Sequence, residues 1–224
     1  MSLQVNNFSL SIKSSNRTLF KNFNVEIKKG QITALMGASG SGKSSLLNFI
    51  LGTLPQEIFN IEGTLSLAGA SIDTLPIEKR GMGILFQDPL LFPHMNVEEN
   101  LAFGLAEHIK NHKKRETYIT NGLAEIHLPP AIRTRLPHTL SGGEQARVSV
   151  LRTLLSFPKV ILLDEPFSKL DRPLCQAFRE FVYGSILSRD IPALIVTHDK
   201  ADVLAIPKHA RGKVITLSSS TTSS

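Results

Sequence analysis

The stretch Gln31-Ile32-Thr33-Ala34-Leu35-Met36-Gly37-Ala38-Ser39-Gly40-Ser41-Gly42-Lys43-Ser44-Ser45-Leu46-Leu47-Asn48-Phe49-Ile50-Leu51 decides how this chain is to be read. Gln31 to Met36 has the composition of a strand and runs straight into a glycine-rich turn, after which an apolar segment from about Lys43 to Leu51 predicts a helix. That order is the opening of a nucleotide-binding βα unit. Between strand and helix, Gly37 to Ser44 fit the pattern G-x-x-x-x-G-K-[ST] in the context that gives it mechanical meaning. Glycines there let successive backbone N–H groups turn inward around phosphate oxygens, and the helix presents its positive N-terminal end to the same anion. Gly37, Ala38, Ser39, Gly40, Ser41, Gly42, Lys43, Ser44 and Ser45 are therefore the candidate nucleotide-binding residues. Lys43 would reach the β and γ phosphates. Ser44 would coordinate Mg2+, a hard cation that keeps most of its waters and needs few protein oxygens. An accidental Gly/Ser-rich turn would explain the composition but not the flanking strand and helix.

Outward from this unit, Leu3 to Phe8, Leu19 to Ile27 and Gly63 to Leu67 alternate in the manner of antiparallel strands. From about Asp88 to Phe157 the spacing becomes helical, broken by Pro129, Pro130 and Pro137. Val160 to Leu163 and Ala193 to Val196 are continuous apolar runs, as expected of strands buried on both faces of a parallel sheet. The expected fold is α/β: one domain over 1–217, its core formed by 1–87 and 158–217, with a helical lobe inserted at about 88–157. The final SSSTTSS, with nothing apolar to pack, predicts a disordered tail over 218–224.

Composition narrows the classes. A chain of 224 residues with 42% hydrophobic content can bury a core of its own. Its single cysteine, Cys175, excludes an internal disulfide and fits a small buried side chain. The start, MSLQVNNFSL, lacks a basic n-region and a long apolar h-region, and no later stretch has the length to cross a bilayer, so the expectation is a soluble, unexported protein. The net charge of +6 favours anionic partners without choosing among nucleotide, acidic lipid and nucleic acid. Lys110, Lys113, Lys114 and Arg115 are expected on a solvated helix face, with a membrane-surface role as the alternative.

Two more segments carry chemistry. Val160-Ile161-Leu162-Leu163-Asp164-Glu165 sets two acids at the carboxyl end of a buried strand, where open α/β sheets bind ligands. Asp164 would be stabilised through the water shell of the metal, and Glu165 would accept a proton from an attacking water. In Leu140-Ser141-Gly142-Gly143-Glu144-Gln145, Ser141 and Glu144 have the spacing of a capping box. Gly142 and Gly143 weaken the helix they would begin, so close approach of a ligand to the backbone explains them better.

At this point the sequence resembles the nucleotide-binding domains of ABC ATPases, over about residues 3 to 217. The phosphate loop is followed in the family's order by Phe86-Gln87-Asp88, Leu140 to Gln145, Asp164-Glu165, Ser168-Lys169-Leu170-Asp171 and Thr197-His198-Asp199. The resemblance implies a RecA-like phosphate-loop ABC ATPase core with an N-terminal antiparallel β subdomain and an inserted helical subdomain. It also implies that Gln87 contacts Mg2+ and senses a transmembrane partner, and that Ser168 to Asp171 form the D-loop. His198 would contact the γ-phosphate and help orient the water and Glu165. Catalysis would then rest on Glu165, His198, Lys43 and Gln87, and the metal on Ser44, Gln87 and Asp164. Two copies would pack head to tail, Ser141, Gly142 and Gly143 of one closing over the ATP held by Lys43 of the other.

The run from Leu91 to Leu105 is similar to ATPase subunits of bacterial importers that use a periplasmic solute-binding protein. That similarity implies integral-membrane permease subunits as partners, a peripheral place on the cytoplasmic side of the inner membrane, and no nucleic acid. Leu90, Leu91, Phe92 and Met95 would offer an apolar rim to a permease helix, or fill the lobe's own core. A cell-division or lipoprotein-export ATPase stays open as the alternative. A phosphate-loop kinase would leave the Ser141 segment without a reason.

The chain departs from the family pattern at four places. Glu144 replaces a more usual glutamine, Lys169 a small D-loop residue, and Ile12 the aromatic that stacks on adenine. The regulatory β domain that many importer ATPases carry does not follow the core, so regulation by that route is not expected.

Overall fold

The computed structural model describes residues 2–106, 108–168 and 172–217. The first half runs β1 (Ser2–Ile12), β2 (Thr18–Lys28), β3 (Ile32–Gly37), α1 (Lys43–Leu51), β4 (Phe59–Leu67), β5 (Ala70–Ser71) and β6 (Met82–Leu85). Three helices follow, α2 (Val97–Leu105), α3 (His112–Glu125) and α4 (Gly142–Leu155). The chain then returns as β7 (Val160–Asp164), α5 (Arg172–Leu187), β8 (Ala193–Thr197), α6 (Lys200–Leu204) and β9 (Arg211–Leu217). The outcome is the expected α/β arrangement, an antiparallel sheet in the order β2-β1-β4-β5 and a parallel sheet in the order β6-β7-β8-β3-β9. Lys169 to Asp171 of the D-loop and the tail over 218–224 lie outside the described residues.

β1 is longer than the sequence suggested because its inward face changes phase. Leu3, Val5, Phe8 and Leu10 are all buried, which strict alternation forbids. The pair Asn6-Asn7 absorbs the extra residue: the register against both β2 and β4 shifts there, and Asn7 takes φ 51°. Opposite this bulge Gly63 of β4 has φ 116°, and a Cβ on it would stand 2.7 Å from Phe8 Cα. Only glycine fits that approach.

The core lies in two layers. On one face of the parallel sheet, Leu46, Leu47 and Ile50 of α1 fill the space between Leu3, Phe8 and Leu10 of the antiparallel sheet and Leu162, Leu194 and Val196 of the parallel one. Each such fully buried side chain contributes about 1.5 to 3 kcal/mol. On the other face, Ile161, Leu163 and Ile195 meet Val150 and Leu154 of α4 and Val182, Tyr183 and Ile186 of α5. A third cluster gathers Val97, Leu101, Ile119 and Leu123 around Val148 and Leu151, so α4 serves two cores at once. Its polar residues tie the same helix to the segment after β6: Ser149 Oγ donates to Pro89 O at 2.6 Å and Arg152 Nη2 to Leu90 O at 3.0 Å.

Two expectations need adjusting. Of the supposed rim, Leu90 is 56% exposed, whereas Leu91 packs on the lobe's core and Phe92 and Met95 are half-buried. In the basic cluster Lys110, Lys113 and Lys114 are exposed. Arg115 is not a solvated charge, because it folds back to donate to Ala106 O and Ile109 O just beyond α2.

Arg80, buried in the turn before β6, joins three parts of the chain. Its guanidinium donates to Phe49 O and Ile50 O at the end of α1 and to Asp73 O and Leu75 O after β5. Arg80→Met keeps the reach and removes every donor, leaving these carbonyls short of partners. The expected loss is about 2 to 4 kcal/mol of unfolding free energy, measured by urea denaturation.

Candidate functional site

The carboxyl ends of β3, β7 and β8 lie side by side in the parallel sheet, and each delivers a segment to one place. From β3 comes the phosphate loop. α1 opens on Gly42, in the left-handed region at φ 96°, and no side chain caps its first turn. The first amides of the helix are thereby free for an anion. A Cβ on Gly42 would stand 2.9 Å from the Phe20 ring of the neighbouring hairpin, so glycine is required on steric grounds as well. Lys43, only 6% exposed, folds its ammonium over the loop and donates to Gly37 O at 2.8 Å and Ala38 O at 3.0 Å.

From β7 come the two acids. Burial, and then the neighbouring Glu165, push the Asp164 carboxyl above its ordinary range, against the pull of Lys43. A buried carboxylate repelled by its neighbour is stabilised by a cation. Ser44, Gln87, Asp164 and Glu165 line one cleft, and their oxygens suit a hard, hydrated Mg2+ shared with phosphates. Among the described residues no group of three or more His, Cys, Asp and Glu side chains forms a cage of its own.

Glu165 occupies the left-handed region at φ 46°, a strained position for a side chain of its size. The surrounding bonds hold it there: its amide donates to Val196 O of β8 at 2.9 Å, and its carbonyl accepts from Ser168 Oγ at 2.7 Å. The turn aims its carboxylate between two partners, with Oε1 3.9 Å from Lys43 Nζ and Oε2 3.2 Å from Nδ1 of His198, which follows β8. Lys43, Glu165 and His198 are thus one contiguous group, although they lie far apart in sequence.

The Ser141 segment does not join them. Ser141 and Glu144 make the expected capping box at the start of α4, and the Ser141 amide and hydroxyl hold the Glu144 carboxyl below its ordinary value. Among the described residues no hydrogen bond or ion pair links Ser141, Gly142 or Gly143 to residues 37–45. A Cβ on Gly142 or Gly143 would meet nothing within 4 Å, so no contact inside this chain demands glycine there. Gly142 instead borders a cavity shared with Gln87, Asp88 and Gln145.

The sequence did not flag Arg17. It leaves the turn between β1 and β2 and donates from Nη2 to Gly40 O at 3.3 Å, although no spacing rule singles out an exposed turn arginine. Ile12, half-buried, pairs with Phe59 at the end of β1, and its amide donates to Arg17 O.

A second cleft opens where the helical lobe meets the edge of the parallel sheet, lined among others by Ile77, Phe92, Phe103, Arg152 and Phe157. Phe103 is 57% exposed, Ile77 49% and Phe157 43%, and Phe92 lies edge-on to Phe103 at 4.8 Å. Among the described residues no helix is long and apolar enough to cross a membrane.

Comparison with known proteins places this geometry. The family described as ABC transporter matches residues 20–168. The chain is 43% identical over 203 residues to the ABC transporter ATP-binding protein YnjD of Escherichia coli (strain K12), covering 91% of each protein. It is 34% identical to the Fe(3+) ions import ATP-binding protein FbpC of Streptomyces avermitilis, over 88% of this chain and 55% of that one. With the sulfate/thiosulfate import ATP-binding protein CysA of Nephroselmis olivacea it shares 37% identity, over 82% of this chain and 52% of that one. It therefore spans about half the length of these two import proteins. Among solved structures, the dimeric post-hydrolysis state of the ATP-binding cassette MJ0796 with ADP and Pi superposes with a TM-score of 0.76 at 26% identity, covering 96% of this chain and 94% of that one. CbiO1 of Clostridium perfringens, part of the ABC transporter complex cbiONQ, gives 0.78 at 27% identity, covering 93% and 85%. The loop that cradles phosphate, the acid pair and the matching relatives lead to one conclusion: this chain belongs to the ABC transporter ATP-binding family, whose members bind and hydrolyse ATP.

Proposed function

We propose that this chain is the ATPase subunit of a bacterial importer of a small solute, working as a head-to-tail pair with ATP at two shared sites. The observation that carries the pairing is the separation of the Ser141 segment from the Lys43 group, together with two glycines that nothing in the chain itself requires. A second copy, turned head to tail, would bring Ser141, Gly142 and Gly143 over the γ-phosphate held by Lys43. The dimeric state of MJ0796 supports that reading.

In the closed pair each residue has one task. The amides of the phosphate loop and Lys43 hold the β and γ phosphates, and Ser44, Gln87 and Asp164 would hold Mg2+, which would supply positive charge beside the phosphates. Glu165, kept in its strained turn, accepts the proton of the attacking water. His198, in contact with Glu165, orients that water and the γ-phosphate by directed hydrogen bonds. ATP joins the two copies and hydrolysis frees them, which converts chemistry into a closing and opening stroke.

The stroke needs a receiver. The apolar cleft at Phe103 and Phe157 is the surface we assign to a helix of an integral-membrane permease, because exposed aromatic groups rimmed by charge mark protein interfaces. Gln87, close to the segment that α4 holds, would carry the state of that contact to the metal. Import, with a periplasmic solute-binding protein as indirect partner and a peripheral place on the cytoplasmic face, rests on the similarity to iron and sulfate import ATPases.

Glu165→Gln removes the base and spares the phosphate cradle, so hydrolysis is expected to fall by about 10² to 10⁴ while ATP binding persists. Light scattering should then show an ATP-dependent dimer, and a variant that stays monomeric at saturating ATP would contradict the shared site. Isolated from its native membrane in mild detergent, the chain should bring down a multi-span protein, and Phe103→Asp should weaken that capture while the separated chain still binds ATP. Capture of an exporter or of division proteins would replace the import reading. At the base, Ile12 gives apolar contact without a π face, whose stacking is worth on the order of 1 to 3 kcal/mol. In the Glu165→Gln background ATP and GTP should therefore bind within about tenfold of each other, and Ile12→Tyr should tighten both. Strong ATP preference with no gain from Tyr would place the base elsewhere.

A further inference from the structure

Beside the site, a buried ion pair and the groups bonded to it have no part in the mechanism above. Arg179 of α5 is 7% exposed and Asp202 of α6 is 3% exposed. The guanidinium donates from Nε to Asp202 Oδ1 at 2.7 Å, approaches the same oxygen with Nη2 at 2.6 Å, and reaches Asp199 Oδ2 at 3.0 Å. The second oxygen of Asp202 accepts from the hydroxyl of Thr197, itself 1% exposed, and that hydroxyl accepts from the Asp199 amide at 3.0 Å. Tyr183, fully buried on α5, donates to the carbonyl of Asp202 at 2.9 Å.

Thr197 and Asp199 are the two neighbours of His198. The imidazole itself is 60% exposed, and among the described residues its one polar contact is Glu165. With so much of the ring exposed, the backbone on either side of it is the main constraint on its direction. Both flanks are held by one network centred on Arg179, buried at Thr197 and Asp202 and half-exposed at Asp199. The guanidinium also lies over the ring of Phe167, 5.5 Å from its centroid, and Phe167 follows Glu165 in the turn that aims the carboxylate. Phe167 is 2% exposed and meets Tyr183 and Phe178 edge-on.

We propose that Arg179 is a positioning residue for His198, setting its direction through Thr197, Asp199 and Asp202. The inference rests on the reading of His198 as a member of the catalytic group. A planar fork that grips two carboxylates beside an aromatic ring is a task for arginine that lysine cannot perform. A buried charge cluster of this kind is weak evidence for stability alone, since apolar residues of similar volume often serve as well. Its place here, on both sides of one catalytic turn, gives it a geometric use.

The test uses Arg179→Lys, which keeps the charge and loses the fork, and Thr197→Val, which keeps the shape and loses the hydroxyl. Each is made alone and in a His198→Ala chain, and kcat, ATP affinity and thermal unfolding are measured. Both single variants should lower kcat by up to about 10²-fold with ATP affinity retained, since a displacement of about 1 Å at a reacting group costs that much. In the His198→Ala background neither should lower kcat further. An equal fall in both backgrounds would show that Arg179 and Thr197 act independently of His198 and overturn the proposal. Loss of ATP affinity in step with kcat would show a general loosening of the fold and overturn it likewise. A His198→Ala chain that hydrolyses at the parental rate would instead remove His198 from the reaction, and the proposal with it.

Discussion

A buried ammonium sets the terms for the rest of this molecule. Lys43 is nearly inaccessible, yet its charge meets two neutral carbonyls and a carboxylate that stands off at 3.9 Å. Burying a cation with so little compensation costs several kcal/mol. The surroundings make sense as preparation for the anion that completes the set: an uncapped helix start, a loop opened by glycines, and an acid raised by burial where a metal is needed. The parallel sheet supplies this by ending three neighbouring strands at one edge, which lets residues from three parts of the chain converge without a long loop.

The same preparation leaves the site open on one side. The chain gathers Lys43, Glu165 and His198 but keeps the Ser141 segment at the head of α4, apart from the phosphate loop. A symmetric pair resolves this economically, because one rotation brings both separated halves together twice. The helix that presents the segment also touches the aromatic cleft through Arg152, whose guanidinium lies 5.1 Å from the centroid of Phe92 and which donates to Leu90 O. One helix therefore carries the Ser141 segment at its head and, further along, borders the surface assigned to a membrane partner.

Much of this was legible in the sequence. The phosphate loop, the acids after β7 and the capping box each combine a local backbone requirement with a local chemical one, and the helix expected over 43–51 is the helix observed. The fold class followed from the same segments. What stayed hidden depends on distant partners. β6 is four residues with a glycine inside, and its pairing with β7 is made only after the helices have intervened. The phase change at Asn6-Asn7 depends on Gly63 across the sheet, and the role of Arg80 on carbonyls from two other turns. Three of the four charges expected on a solvated face are exposed, and only Arg115 turns back to the carbonyls just beyond α2, a local contact that spacing does not reveal.

The strand order has a consequence for synthesis. β3, which carries the phosphate loop, pairs with β8 and β9, the two strands made last. Until β8 has been made, the loop's own strand has no neighbour in its sheet, and closing so long a span carries an entropic cost. The nucleotide site is therefore among the last features to form, although its motif is among the first to be translated. Because ATP is bound by the finished loop and not by the unfolded chain, its binding would draw the folding equilibrium toward the completed sheet.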